Sequence, residues 1–240
     1  LEDKRKTLTF RQIKSVYHVL SKKTNFVCQN TAEKDDIYRV RVLQSPCFHG
    51  ILIILVKWRY LTLRIMHVMG GGDVGGAKTQ IMNTVTGLNR NNDVMLISFR
   101  AGPFADEARE RGIDVRVIER HNPFRAARTM RDLVDAFKPD IIHCHGGRAN
   151  LMGAMVRRSR QVPIVTTVHS DYRLDYLGSP LKQYTLGTAN AIALRFLDFY
   201  QPVADRMART LIERGFDPER IVKIYNGMDF DRPKGEFDRV

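Results

Sequence analysis

LRIMHVMGGGDVGGAKTQIM, from Leu63 to Met82, is the stretch whose reading decides the fold. Leu63 to Met69 is a short apolar run interrupted by Arg64 and His67, the pattern of a strand buried on both faces of a parallel sheet. Five glycines then fall between Gly70 and Gly76, where a chain can turn sharply or let another molecule approach its backbone. From Ala77 onward Ile81, Met82, Val85 and Leu88 recur at helical spacing, so the turn ends at a helix N-terminus. Unpaired N–H groups and the positive end of the helix dipole meet there, which makes an anion site. A phosphate is the natural candidate.

The loop letters alone support more than one phosphate reading. Gly70, Gly72 and Gly75 spell G-x-G-x-x-G, but the ribose-binding acid expected about twenty residues on is replaced by Phe99 and Arg100 at the end of the second strand. Gly72 to Thr79 nearly spells a Walker A loop, with Lys78-Thr79 in place and Ala77 where the second glycine belongs. That alanine puts a Cβ where phosphate needs close backbone approach, and no strand ends in a Walker B aspartate. A glycine turn that binds nothing is the third possibility.

Working outward, 240 residues with 43% apolar content can bury a substantial core as one large domain or two small ones. A formal net charge of +13 favours anionic partners without choosing among nucleic acid, phosphorylated substrates and an acidic membrane face. Cys28, Cys47 and Cys144 are odd in number and lack metal-ligand spacing, so a reducing, cytoplasmic setting without disulfides or structural zinc is expected. The longest apolar run, Ile51 to Val56, is far shorter than the roughly twenty residues of a membrane span. LEDKRKTLTF lacks the layout of a signal peptide.

Residues 1–62 lack the strand-helix alternation that sets in at Leu63, with only a candidate helix from Phe10 to Leu20 and a candidate strand from Gly50 to Val56. Leu63 stands where a protein opening on such a strand has its initiator methionine. Residues 1–62 are therefore expected to be a poorly ordered upstream extension of the reading frame, the alternative being an ordinary basic appendix.

After Leu63 the units alternate. Strands are expected at Asp93–Phe99, Ile113–Ile118, Asp140–Cys144, Val162–Val168, Phe196–Val203 and Ile221–Tyr225. Helices are expected at Pro103–Arg111, Pro123–Phe137, Leu151–Arg158, from Leu181, and at Ala204–Arg214, with HGGRAN as a polar turn before the third of these. Gly112 and Gly215 cap two of the helices. Arg125, Arg128, Arg131 and Lys138 form a basic outer stripe, read as a solvated face, with an interfacial membrane patch as the alternative. The pattern predicts an α/β, Rossmann-like, doubly wound parallel sheet with helices on both faces and ligand-binding loops at the strands' carboxyl ends.

The loops at those ends carry a resemblance. GGGDVGGAKTQIM, PDIIHCHGG, TTVHSDYR and IVKIYNGMDFDRP, in this order and spacing, resemble the N-terminal half of family 4 glycosyltransferases of the GT-B fold, over roughly Leu63 to Arg232. The resemblance implies a Rossmann-like acceptor-side domain over residues 63–228, the start of an interdomain linker at 229–240, and a C-terminal domain carrying most nucleotide-sugar contacts. It implies a glycosyltransferase that moves a sugar from a nucleotide-diphosphate donor to a glycan or lipid-linked acceptor with retention. The chain would hold the acceptor-side half only, inactive alone, because the paired glutamates of the donor site belong downstream of Val240; the alternatives are a P-loop-like nucleotide-binding switch and a noncatalytic binding module.

By the same resemblance Gly75 and Gly76 approach the donor diphosphate, although Lys78 stands where the family often has an acid. His169 matches a histidine thought to contact the transferred sugar and is the catalytic candidate, the alternative being a loop histidine bonded to nearby backbone. On the acceptor side, His145 is expected to face the cleft and His143 the core, on opposite sides of one strand. Arg148 is a candidate for an anionic acceptor group, or else a solvated arginine. Asn226, Gly227 and Asp229 read as the hinge, so Asp229-Phe230-Asp231 is not a metal-binding D-x-D, and neither a metal nor a cofactor is expected. No nucleic-acid partner is expected. Peripheral association with the anionic inner face of a membrane would suit the basic surface.

Overall fold

The computed structural model describes residues 38–43, 52–57, 62–70, 76–120, 122–157, 159–173 and 178–225. Strands β1 (Tyr38–Leu43) and β2 (Leu52–Lys57) pair antiparallel in a sheet of their own. The Gly50–Val56 reading thus meets a strand shifted by a residue or two, and the pairing with β1 was not expected. The Phe10–Leu20 helix lies outside the described residues.

The alternating part runs β3 (Arg64–Met69), α1 (Gly76–Asn89), β4 (Asp93–Ser98), α2 (Pro103–Glu110), β5 (Asp114–Val117) and α3 (Pro123–Phe137). It continues with β6 (Ile141–His145), α4 (Gly147–Arg157) and β7 (Ile164–Val168). A short helix α5 (Pro180–Lys182) passes through a π-helical turn (Gln183–Gly187) into α6 (Thr188–Leu194), followed by β8 (Phe199–Pro202) and α7 (Asp205–Glu213).

The six strands β3 to β8 are parallel, in the order β5-β4-β3-β6-β7-β8. This is a doubly wound Rossmann-like sheet, as the sequence predicts. The order reverses between β3 and β6, and the crevice outside their carboxyl ends is where such sheets bind ligands.

Alternation along the strands divides the core in two. Met66, Val68, Ile142 and Cys144 pack with Met130 and Val134 of α3 and Met152 and Val156 of α4. Ile65, Met69, Ile141 and Val165 pack on the other face with Ile81, Met82 and Val85 of α1. Every residue of β6 and β7 is buried, which suits the unbroken β-branched run of β7, while β6 carries His143 and His145 into the same buried layer.

Helix ends follow local chemistry. The Asn122 side chain accepts from the N–H groups of Phe124 and Arg125, and Pro123 occupies the first turn of α3. Gly112 and Gly215 take φ of 75° and 74° behind α2 and α7, as expected of C-terminal glycines. α4 departs from expectation. Gly146, at φ 83°, completes the turn after β6, and the Asn150 N–H already bonds the Gly146 carbonyl at 3.0 Å, so most of HGGRAN is helix. The last expected strand is reduced to an extended segment: Ile221 forms one parallel bridge with Tyr200, and Val222 and Ile224 bond the carbonyls of Tyr200 and Pro202.

Candidate active site at the strand-order reversal

The two strands flanking the reversal each feed a helix. α1 begins at Gly76 behind β3, and α4 begins at Gly147 behind β6. Gly76 is therefore the first residue of the helix whose N-terminus was expected to meet an anion, while Gly75 lies outside the described residues. Lys78, the near-Walker lysine, turns to Glu107 of α2, with Nζ 3.1 Å from the carboxylate. Its hydrogen bond is the largest cause holding the Glu107 carboxyl below its ordinary range.

Beside this turn, on the α1 face of the sheet, three imidazoles stack. His67 stands opposite His143 in register, and His145 opposite Met69. All three are buried, at 0%, 3% and 5% exposure. Ring centroids of His143 and His145 lie 4.2 Å apart, and those of His67 and His145 5.4 Å apart in a stacked arrangement. This overturns the expected opposition of His143 and His145, because residues two apart on a strand share a face. His143 is a core histidine as expected, with Nε2 2.7 Å from Thr167 Oγ1. His145 points to the same side and is buried as well.

His67 Nδ1 lies 3.1 Å from His145 Nε2, one donating to the other. Burial drives the His67 imidazole down to about 3. Burial also holds His143 and His145 well below the usual histidine value, with smaller contributions from the neighbouring histidines. The trio is neutral at physiological pH. His67 was absent from the site expected from sequence. Its signal was available: a histidine interrupting an otherwise apolar central strand needs polar company.

His169 follows β7 directly and is partly buried, its ring centroid 6.4 Å from that of His145. It thus borders the same histidine-rich edge. Arg148 is in the first turn of α4, and its guanidinium is committed internally: it donates to the Arg120 carbonyl at 3.0 Å and the Phe99 carbonyl at 3.5 Å, and lies 4.8 Å over the Phe99 ring. It ties the loops behind β4 and β5 to α4 while the residue as a whole stays exposed. Beside it a groove of about 380 Å³ runs between α3, α4 and the π-helical turn, lined by Pro123, Ala126, Leu151, Met152 and Leu186. Asn226, Gly227 and Asp229 lie outside the described residues. Among the described residues no helix is long and apolar enough to cross a membrane.

Fold and site together define a Rossmann-like α/β domain with a helix start and a histidine-lined edge at its strand-order reversal. The sequence profile of Glycosyltransferase Family 4 matches residues 74–232, and the chain belongs to that family. Among solved structures, HepE of Anabaena in complex with UDP superposes with a TM-score of 0.56 at 19% identity, covering 70% of this chain and 45% of that one. The lipopolysaccharide outer core galactosyltransferase WaaB gives 0.55 at 16% identity, covering 74% and 50%. A UDP-N-acetylglucosamine 2-epimerase from Rickettsia bellii gives 0.52 at 16% identity, covering 69% and 45%. A comparison with curated proteins found no match. These likenesses show the GT-B type of Rossmann-like fold, shared here by transferases and an epimerase, so the fold alone does not choose the reaction. The chain spans about half the length, or less, of the structures it matches.

Proposed function

We propose that residues 63–228 are the acceptor-side domain of a retaining glycosyltransferase, which transfers a sugar from a nucleoside-diphosphate donor across a cleft shared with a second domain. The observation that carries this reading, beside family membership, is the placement of the α1 start and the histidine edge on the two strands that flank the reversal. As the bond to the sugar breaks, negative charge builds on the diphosphate and positive charge on the sugar. The N–H groups and dipole at Gly76, with Gly75 before it, stabilise the first. His169 positions the sugar, and His145 reinforces the edge on which His169 rests. UDP and UDP-glucose in the HepE structures support a nucleotide-sugar donor.

In this reading residues 229–240 open the interdomain linker, with Asn226, Gly227 and Asp229 as its hinge, and residues 1–62 are an extension outside the catalytic unit. The acceptor is a glycan or lipid-linked intermediate of the cell envelope. The exposed Phe124, Arg125 and Arg128 of α3 suit peripheral contact with an anionic cytoplasmic membrane face. An ATP-driven switch is disfavoured, since Lys78 is paired with Glu107.

Calorimetry of the 240-residue chain with UDP- and GDP-sugars is expected to show weak binding or none, and the reading frame extended past Val240 is expected to release nucleoside diphosphate from one of them. Tight donor binding by this chain alone would relocate the donor site. An extended, folded protein that neither binds nor turns over any nucleotide sugar would overturn the transferase reading.

A further inference from the structure

We propose that His67, His143 and His145 bind one late first-row transition-metal ion, with Zn²⁺ as the reference ion. One ring nitrogen from each lies within 4.8 Å of the others, and no Asp or Glu of the described residues belongs to the cluster. The fold supplies the convergence: two adjacent parallel strands place His67 beside His143 in register, and His145 follows on the same face. The facing nitrogens of His67 and His145 are 3.1 Å apart. Tetrahedral zinc with bonds of about 2.0–2.1 Å separates its nitrogen ligands by about 3.3 Å, so this pair already stands near ligand spacing.

A second observation is the state of the outer ring nitrogens. His67 Nε2 and His145 Nδ1 are buried and have no hydrogen-bond partner among the described residues. If His67 donates to His145, then His145 Nδ1 carries an unpaired N–H and His67 Nε2 is bare; if His145 donates, the roles exchange. Either tautomer leaves one buried donor and one buried acceptor unmatched, so the hydrogen bond between the two rings does not by itself satisfy the pair. An ion between the facing nitrogens takes a lone pair from each. The proton formerly between them moves to the outer nitrogen of the ring that carried it, and no proton is gained or lost. Both outer nitrogens are then N–H groups; with no partner among the described residues, the outward bonds that metal-bound histidines make would go to water.

The donor set selects the ion class. Imidazole without carboxylate suits Zn²⁺, Cu²⁺ or Ni²⁺ and disfavours Mg²⁺ and Ca²⁺. Three nitrogens leave a fourth position for water or an anion. The site is separate from Asp229-Phe230-Asp231, and its occupancy does not depend on glycosyl transfer.

The test uses the whole 240-residue chain, stripped of metal, incubated with Zn²⁺ or Co²⁺, dialysed and analysed for metal per chain. One ion per chain and the strong visible absorption of four-coordinate Co²⁺ are expected. His67→Gln and His143→Gln, checked for folding by circular dichroism, should each weaken binding at least tenfold, by the scale on which even supporting residues of metal sites act. Where a variant fails to fold, Zn²⁺ titration of the unmodified chain with ¹⁵N-labelled histidine gives the answer, since the trio's ring-nitrogen resonances must shift together. No retained ion, a weakly absorbing six-coordinate Co²⁺ spectrum, unchanged binding in a folded variant, or unmoved trio resonances would overturn the proposal.

Discussion

Asp171 and Arg214 meet carboxylate to guanidinium, with nitrogen–oxygen distances of 2.5 and 2.6 Å, and join the loop behind β7 to the end of α7. The same guanidinium lies 4.8 Å over the Tyr172 ring, and Tyr172 meets Phe216 edge-on at 6.3 Å. The pair therefore anchors the segment that begins at His169. Its side chains are only 17% and 20% exposed, between the surface pairs worth little and the buried ones costly to break. Arg214→Met is expected to cost about 1–3 kcal/mol in urea unfolding. A loss below about 0.5 kcal/mol would mean that the loop is held by other contacts.

The same pair gives a pH dependence. The Arg214 hydrogen bond is the largest cause lowering the Asp171 carboxyl, partly opposed by burial. A carboxyl lowered in the folded state contributes stability that is present above its unfolded value, about 3.9, and is lost as pH falls through its folded value. The stability gap between the native chain and Asp171→Asn should be full near neutrality and shrink below about pH 4. Denaturant unfolding across that range tests the sign; a gap that widens in acid contradicts it.

Gly153 lets α4 lie close on β6. A Cβ built there would stand 2.8 Å from Cys144 Sγ and 3.4 Å from Ile164 Cγ2. Gly153→Ala gains about 1 kcal/mol of helix propensity but overpacks by about 1–3 kcal/mol, so a net loss is expected. A melting temperature equal to or above that of the native chain would show that the Cys144 side chain yields freely.

Tyr200 spans the end of α6 from below. Its buried hydroxyl is 2.6 Å from the Leu194 carbonyl and 3.2 Å from that of Leu197, and burial pushes its ionisation up to about 12. Tyr200→Phe should cost about 1–2 kcal/mol by removing the hydroxyl donor from both carbonyls, of which that of Leu194 keeps the Leu197 N–H at 3.3 Å. In a spectrophotometric titration, one tyrosine should ionise later than the ordinary range, and that late component should vanish in the variant.

Much of this molecule was legible in its sequence because burial on both faces writes itself plainly. β3 and β7 appear as mainly apolar or β-branched runs, β6 as an Ile-Ile start before its histidines, and the bounds of α3 are marked by Pro123 and Lys138-Pro139. The start of α4 was obscured because Gly146 and Gly147 look like loop, whereas only Gly146 needs the left-handed conformation. The π-helical turn at Gln183–Gly187 has no composition of its own, and the Ile221–Tyr225 run is apolar enough for a strand yet finds only one bridging partner at Tyr200. At the site, His145 and His169 stand out in sequence, but the engagement of Arg148 with Phe99 and Arg120 depends on loops far apart in the chain. His67 reads there only as an interruption of a strand. Its meaning appears once β6 is laid beside it.

That neighbouring relationship also orders events during synthesis. β4 follows β3 closely in the chain, but the strand on the other side, β6, begins only at Ile141. Until then a nascent chain has one edge of β3 bare, in a strand whose residues Ile65, Met66, Val68 and Met69 end up fully covered. A ribosome-bound intermediate of this length exposes an unpaired apolar edge, the form most prone to join another chain. Pulse-labelled chains halted before Ile141 should aggregate or recruit chaperones, and chains released after β6, β7 and β8 have emerged should not.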